Sequence, residues 1–114
     1  MQVTMIEVAC HVLIKRDGVC ILGPVKTNLL REISKTGNLS EAAKVLDISY
    51  QHAWTMVEEM NKQAPNALVI KQRGGVSGGS TTVSDYGERV LQEYGLIEAQ
   101  VQKMMNQINV EINL

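Results

Sequence analysis

Residues 40–54 have the sequence SEAAKVLDISYQHAW, in which two short helical patterns meet at a corner. Ala42 and Ala43 lie midway along the first pattern, where small side chains let a second helix cross at a steep angle. Asp47 stands at the corner, and an Asp tolerates the left-handed backbone conformation that a turn requires. Ser49 is a favourable N-cap for the second helix. The stretch therefore predicts a helix-turn-helix.

The second helix is expected over residues 49–63, and helical spacing assigns its two faces. The predicted inward face consists of Ala53, Trp54, Val57 and Met60. The first exposed turns carry Tyr50, Gln51, His52 and Thr55. This is the part of such a helix that enters the major groove of duplex DNA, where Gln pairs with adenine and hydroxyl or imidazole groups bind phosphates and base edges. We therefore predict that these four residues, with Ser40 and Ser49, bind DNA, although any helical hairpin also exposes polar residues for purely structural reasons.

A second candidate DNA-binding element follows at residues 67–83. Its two ends, 67–71 and 81–83, are strand-like, and the segment between them is rich in glycine. We interpret it as a wing on the DNA backbone or in the minor groove, because glycine lets backbone amides approach phosphates closely. The predicted contacts in the wing are Lys71, Arg73 and Ser77. Neither glycine pattern of a nucleotide-binding loop is present, so no cofactor is expected.

Upstream, the sequence predicts a β-hairpin and a first helix. Residues 5–14 and 19–22 are strand-like around an Asp17-Gly18 turn, and Gly23-Pro24 starts a helix that Thr36-Gly37 ends. The predicted buried face of this helix consists of Val25, Leu29, Leu30 and Ile33. Asn38 and Glu41 have the spacing of a capping box, so the next helix should begin at about Leu39.

The two cysteines lie in the predicted N-terminal hairpin. The register set by the Asp17-Gly18 turn keeps Cys10 and Cys20 far apart, so we expect buried thiols and no disulfide. The two His and two Cys of the chain have no zinc-site spacing, and no metal is expected. Neither cysteine has an evident positive partner, and no acid–base constellation accompanies them. The sequence therefore does not predict an enzyme.

Ser84 is expected to cap a long helix over residues 84–110. Its apolar stripe comprises Tyr86, Val90, Leu91, Tyr94, Ile97, Val101, Met104, Met105 and Ile108. Such a stripe exceeds what one small core needs, so we predict that its far part packs against the same helix of a second copy. The predicted dimer interface consists of Tyr94, Ile97, Val101, Met104, Met105 and Ile108. The alternative is that the helix folds back on its own core.

The chain has 114 residues, which is within the range of a single domain. We predict one mainly α domain with small β-hairpins, a winged helix-turn-helix. It has an N-terminal hairpin (1–23), a winged core (24–83) and a long C-terminal dimerisation helix (84–110). No apolar run is long enough to span a bilayer and no cationic leader is evident, so a cytoplasmic location is expected.

The formal net charge of −1 is unusual for a DNA-binding protein, but the charges are unevenly distributed. From Lys15 through Arg73 there are nine basic residues and six acidic ones, whereas from Thr82 onward there are two basic residues and five acidic ones. The surplus therefore lies on the half that carries the helix-turn-helix. Because it is modest, we expect DNA affinity to depend strongly on salt and on pairing of two copies.

Several of these motifs together resemble the N-terminal domain of ModE-type molybdate-responsive repressors, a family related to the LysR-type winged helices. The motifs are TGNLSEAA at 36–43, Ile-Ser-Tyr at 48–50, Ala-Trp at 53–54, Glu-Met-Asn at 59–61, the Gly-rich segment and Tyr86-Gly87. The similarity extends over roughly residues 22–105, and the hairpin before Gly23 also matches. The resemblance implies a cytoplasmic, dimeric, prokaryotic transcription regulator with helix 49–63 in the major groove.

The sequence departs from the family pattern at several positions. Gln51 stands where the family commonly has Lys or Arg, and Val76-Ser77 stand where its wing usually carries a basic residue. Both changes imply weaker binding and a different operator, and they leave open a winged-helix protein-interaction module without DNA binding. Asp47 replaces the usual Gly at the corner. The family's molybdate-binding domains are C-terminal and this sequence ends at Leu114, so we expect neither such a domain nor molybdate sensing in this chain.

Overall fold

The computed structural model of the protein describes residues 8–72 and 80–108. Within these residues the elements are, in chain order, β1 Ile14–Arg16, β2 Val19–Leu22, α1 Pro24–Thr36, α2 Leu39–Val45, α3 Tyr50–Gln63, β3 Val69–Gln72, β4 Ser80–Val83 and α4 Asp85–Gln107. β1 pairs with β2 and β3 with β4, both antiparallel. The described part of the chain is therefore mainly helical with two small hairpins, as predicted.

The N-terminal hairpin turns at Asp17 and Gly18, as predicted. Their φ angles are 51° and 80°, and a two-residue type I′ turn requires positive φ at both central positions. Lys15 pairs with Cys20 and Arg16 with Val19, in the predicted register. The predicted strand over residues 5–14 is wrong for residues 8–13, which form no strand, and residues 5–7 lie outside the described ranges. β2 has only four residues before α1 begins, so it offers no partner to the chain that precedes β1.

Both cysteines are free thiols, as predicted. The expected burial is wrong for Cys10, which is exposed, while Cys20 is half-buried. Cys10 lies in the stretch that does not join the sheet, so no second strand covers its side chain.

Helix α1 begins at Pro24 and ends at Thr36; Gly37 follows it with φ 66°, and its N–H donates to Ile33 O at 2.8 Å. This left-handed C-cap favours Gly because it has no Cβ. The buried residues of α1 are Thr27, Leu29, Leu30 and Ile33. Val25, predicted to be buried, is 61% exposed. At 3.6 residues per turn it lies about 40° around the helix from Leu29 and about 140° from Leu30, at the edge of the buried face.

Helices α2 and α3 meet at the predicted corner. The Asn38 side chain accepts from Glu41 N at 3.0 Å and caps α2, and the Ser49 side chain accepts from His52 N at 3.0 Å and caps α3. Asp47, between the two helices, has φ 55°. The alanines at the crossing, Ala42, Ala43 and Ala53, are buried. Local capping and small buried residues thus form the two helices, and the turn between them, that the sequence predicts.

The inward face of α3 differs from the prediction at one position. Ala53, Val57 and Met60 are buried as expected, and Met56 joins them. Trp54 is 37% exposed, so its predicted inward orientation is wrong. It follows Ala53 by one residue, which rotates it about 100° out of the buried face.

Helix α4 starts after Ser84, whose side chain accepts from Gly87 N at 2.9 Å, as predicted. α4 ends at Gln107, so the expected range of 84–110 is slightly too long for the described residues, and residues 109–110 lie outside them. The core between the helices and hairpins includes Leu22, Leu30, Ile33, Val57, Met60, Leu68 and Tyr94. Hairpin β3–β4 lies at the edge of this core, with Val69 buried opposite Val83.

Candidate nucleic-acid interface

The start of α3 presents polar side chains to solvent. Tyr50, Gln51 and His52 are exposed on the first turn, as predicted. Ser49 uses its oxygen as the cap acceptor, which leaves its hydroxyl hydrogen available to a ligand. Backbone N–H groups of this first turn add donors, because a helix N-terminus lacks intrahelical acceptors for them. The turn can therefore bind base edges or an anionic backbone.

Two further predicted contacts are also exposed, but they differ in what they can donate. The Thr55 hydroxyl donates to Gln51 O at 3.0 Å, so its hydrogen is already used within α3. Thr55 therefore presents its methyl group and an acceptor oxygen to a ligand. Ser40 is exposed on the first turn of α2. Its hydroxyl remains a possible phosphate donor beside α3.

Hairpin β3–β4 is anchored beside α3 by polar contacts at its base. The Asn61 side chain donates to Val69 O at 2.9 Å and accepts from Leu68 N at 2.9 Å and Val69 N at 3.1 Å. On the other strand, Thr81 N donates to Gly37 O at 3.1 Å. The helical spacing of α3 predicts no role for Asn61. The sequence feature that could have indicated this contact is an amide residue directly after the buried Met60 and a few residues before an apolar strand.

Lys71, a predicted DNA contact at the base of the hairpin, is engaged by side chains of α3. Its ammonium group lies over the Trp54 ring, 2.9 Å from the ring centroid, and forms an ion pair with Glu58. Only 22% of its side chain is exposed. The other two predicted contacts of the hairpin, Arg73 and Ser77, lie outside the described residues.

Many of the basic residues on this half of the chain are held in ion pairs. Five cations of the described residues pair with carboxylates: Lys26 with Glu59, Arg31 with Glu98, Lys35 with Glu32, Lys44 with Glu41, and Lys71 with Glu58. Arg16 donates to Gln63 O at 3.3 Å at the C-terminal end of α3. Four of the five carboxylates lie within residues 15–73 and already count against the basic surplus, so only the pair of Arg31 with Glu98 lowers it.

The predicted dimer residues of α4 divide into three groups. Ile97, Met104 and Ile108 are exposed, at 41%, 55% and 54%. Val101 and Met105 are half-buried and line a cavity of 320 Å³ with residues 8–12. Tyr94 is buried in the chain's own core, and its hydroxyl donates to Val12 O at 2.7 Å. A fully buried side chain offers no surface to a second copy, so we remove Tyr94 from the predicted interface.

Residues 8–72 and 80–108 contain neither a metal-binding cluster nor a membrane-spanning helix. No group of three or more His, Cys, Asp or Glu side chains is placed to hold a metal ion there. None of the helices of this part is both long enough and apolar enough to cross a membrane.

Comparison with known proteins finds several relatives that are named ModE. The chain is 40% identical to the transcriptional regulator ModE of Haemophilus influenzae over 85 residues, which is 75% of this chain and 33% of the relative. It is 39% identical to the DNA-binding transcriptional dual regulator ModE of Escherichia coli K12 over 80 residues, 70% of this chain and 30% of the relative.

A third relative is the molybdenum transport protein ModE of Azotobacter vinelandii, with 35% identity over 92 residues, 81% of this chain and 34% of the relative. The chain spans about a third of the length of these relatives. No protein-family model matches it. The resemblance inferred from the motifs is thus confirmed as a similarity to ModE proteins over most of this chain.

Proposed function

We propose that the chain is a sequence-specific, double-stranded-DNA-binding transcription regulator that acts as a homodimer in the cytoplasm. The names of two relatives describe transcriptional regulators, and one of them also states DNA binding. None of the three names quoted above is that of an enzyme, which supports a non-enzymatic role. The proposal assigns this chain the DNA-binding part of such a regulator.

The observation that carries the proposal is the exposed first turn of α3, capped by Ser49 and supported by α2 across the Asp47 corner. In a helix-turn-helix protein this turn enters the major groove, where its side chains meet base edges. Gln51 is suited to pair with adenine, and His52 to donate to guanine or phosphate. We propose Tyr50, Thr55, Ser40 and Ser49 as the surrounding contacts.

Hairpin β3–β4 is proposed to act as the wing of a winged helix. It is held beside α3 by Asn61 and beside the end of α1 by the backbone bond from Thr81 to Gly37. In the sequence, residues 73–79, with Arg73 and Ser77, follow β3 and precede β4. We propose that this connection contacts the DNA backbone or the minor groove.

The homodimer is proposed to form through the far part of α4. Ile97, Met104 and Ile108 recur at helical spacing and are exposed, which is unfavourable for apolar side chains that face only water. A second copy packed on this stripe would cover them and would present two α3 helices to two half-sites.

A protein-interaction module without DNA binding is the second candidate. Two observations favour it: Lys26 and Lys71 are paired with carboxylates of α3, and Gln51 is uncharged. Such a module would use the same fold to bind protein, and substitutions at Gln51 and His52 would leave its activity intact.

Selection of bound duplexes from a random library, followed by sequencing, tests the proposal. We expect the purified protein to enrich a palindromic site whose affinity falls steeply with salt. No enrichment by a protein that is folded and dimeric would contradict DNA binding and favour the interaction module.

A further inference from the structure

Lys71 lies on the inward face of its strand. Along β3 the side chains alternate, with Val69 buried, Ile70 exposed, Lys71 half-buried and Gln72 exposed. Because residues two apart in a strand point to the same side, Lys71 faces α3 together with Val69. It therefore leaves the hairpin on the side of the helix-turn-helix and not on the solvent side.

The receiving surface on α3 is a row of side chains four residues apart. Tyr50, Trp54 and Glu58 follow one another at this spacing, so they lie along one line of the helix surface. The Tyr50 and Trp54 rings are 6.5 Å apart at 32°. Tyr50 belongs to the first turn that we propose to contact DNA, and the row links that turn to the hairpin.

Lys71 engages this row through two kinds of contact. Its ammonium group stands over the face of Trp54, where the ring quadrupole attracts a cation, and pairs with Glu58 one helical turn further on. An isolated surface ion pair holds a side chain weakly, but the ring contact acts on the same ammonium group and keeps it largely covered. Together they fix β3 against α3.

A direct contact between Lys71 and DNA phosphate would require this arrangement to open. The ammonium would have to leave both Glu58 and the Trp54 ring, and the abandoned carboxylate would repel the approaching phosphate. The observed contacts therefore favour a structural link over a phosphate contact.

We propose that Lys71 is a positioning residue: it clamps hairpin β3–β4 to the Tyr50–Trp54–Glu58 row, and so sets where the hairpin meets the DNA relative to α3. This inference rests on the proposed function. It replaces the expectation that Lys71 neutralises a phosphate, and it assigns Glu58 a supporting role although its charge is unfavourable near DNA.

The test compares Lys71→Met, Glu58→Gln, Lys71→Arg and the double Lys71→Met/Glu58→Gln variant of the full chain. Trp54 is the only tryptophan of the sequence, so its fluorescence reports on the clamp directly. Affinity for the selected duplex is measured over a range of salt concentrations. Lys103→Met, which removes a distant cation from α4, is the matched control.

For a positioning residue, Lys71→Met and Glu58→Gln each shift the Trp54 emission and weaken DNA binding about three- to tenfold without changing the salt slope. The double variant is no weaker than the single variants, and Lys71→Arg restores both readouts because it keeps the cation. The control leaves the emission unchanged.

Two outcomes would overturn the inference. If Lys71→Met lowers the salt slope by about one and Glu58→Gln tightens binding, Lys71 contacts phosphate and Glu58 competes for it. If no variant shifts the Trp54 emission, the clamp does not exist in solution.

Failure of the proposed function itself gives a different result. The wild-type protein then binds no duplex, while the Trp54 emission still responds to Lys71→Met. That result would disprove the role of Lys71 in DNA binding but would confirm its contact with α3.

Discussion

Asn61 satisfies three backbone groups at the entry to β3 with one amide side chain. Asn61→Ala leaves these partly buried groups without partners, and we expect the free energy of unfolding to fall by about 2 kcal/mol. Urea denaturation followed by circular dichroism measures the loss. The matched control is Asn66→Ala, an exposed amide five residues on, which should change stability by less than about 0.5 kcal/mol. Equal effects of the two variants would refute the anchoring role of Asn61.

Asp47 holds the corner between α2 and α3 in a left-handed conformation, with φ 55°. A β-branched side chain is especially disfavoured there, so Asp47→Val should lower the free energy of unfolding by about 1–2 kcal/mol. Asp47→Gly should be tolerated, because glycine adopts this conformation without steric cost. Thermal denaturation of the two variants distinguishes them. A tolerated valine would mean that the corner does not need a positive φ.

At the scale of elements, α4 packs against the hairpin where Gly87 faces Leu68 and Val83. A Cβ at Gly87 would lie 2.6 Å from Val83 Cγ1 and would also collide with the Leu68 carbonyl oxygen. We therefore expect Gly87→Ala to lower the free energy of unfolding by about 1–3 kcal/mol, as overpacking does.

Gly95 in the same helix provides the control for Gly87. Nothing lies within 4 Å of a Cβ built there, so Gly95→Ala should raise stability by about 0.5–1 kcal/mol through helix propensity. Chemical denaturation of both variants measures the two effects. Stabilisation by Gly87→Ala would show that α4 does not approach the hairpin as closely as described.

The elements that local chemistry determines could be predicted from the sequence. Ser49, Asn38 and Gly37 end or begin helices through contacts within a few residues, and the helices have the expected starts. Helical spacing was less reliable at the edges of a buried face, where Val25 and Trp54 are exposed instead of buried. One residue changes the direction of a side chain by about 100°, so the border of a face depends on its tertiary neighbours.

The candidate site was predictable to a similar degree. The exposure of the first turn of α3 follows from its periodicity, and the structure agrees with it. The contacts of Asn61 with Val69 and of Lys71 with Glu58 cannot be predicted from local patterns, because each joins a helix to a strand across several residues of loop. The burial of Tyr94 likewise depends on Val12, at the other end of the chain.

At the scale of the whole molecule, dimerisation through α4 makes a specific prediction. Ile97→Glu puts a charge into the proposed interface, and we expect sedimentation velocity to show a monomer at concentrations where the wild-type protein is a dimer. Leu96→Glu is the matched control, because Leu96 is also exposed but lies about 100° away around the helix. If only Leu96→Glu dissociates the dimer, the interface lies on another face of α4. If the wild-type protein is itself a monomer, the proposed dimer does not form.

Base discrimination by the first turn of α3 is tested most directly by equilibrium binding to the selected duplex and to a scrambled duplex of equal length. The Gln51→Ala/His52→Ala variant should lose at least tenfold in the ratio of the two affinities, since one good base contact contributes about 1–3 kcal/mol. Its binding to the scrambled duplex should change little. Gln92→Ala/Gln100→Ala, at exposed positions of α4, should keep the wild-type ratio. An unchanged ratio in the Gln51/His52 variant would contradict recognition of DNA by this helix.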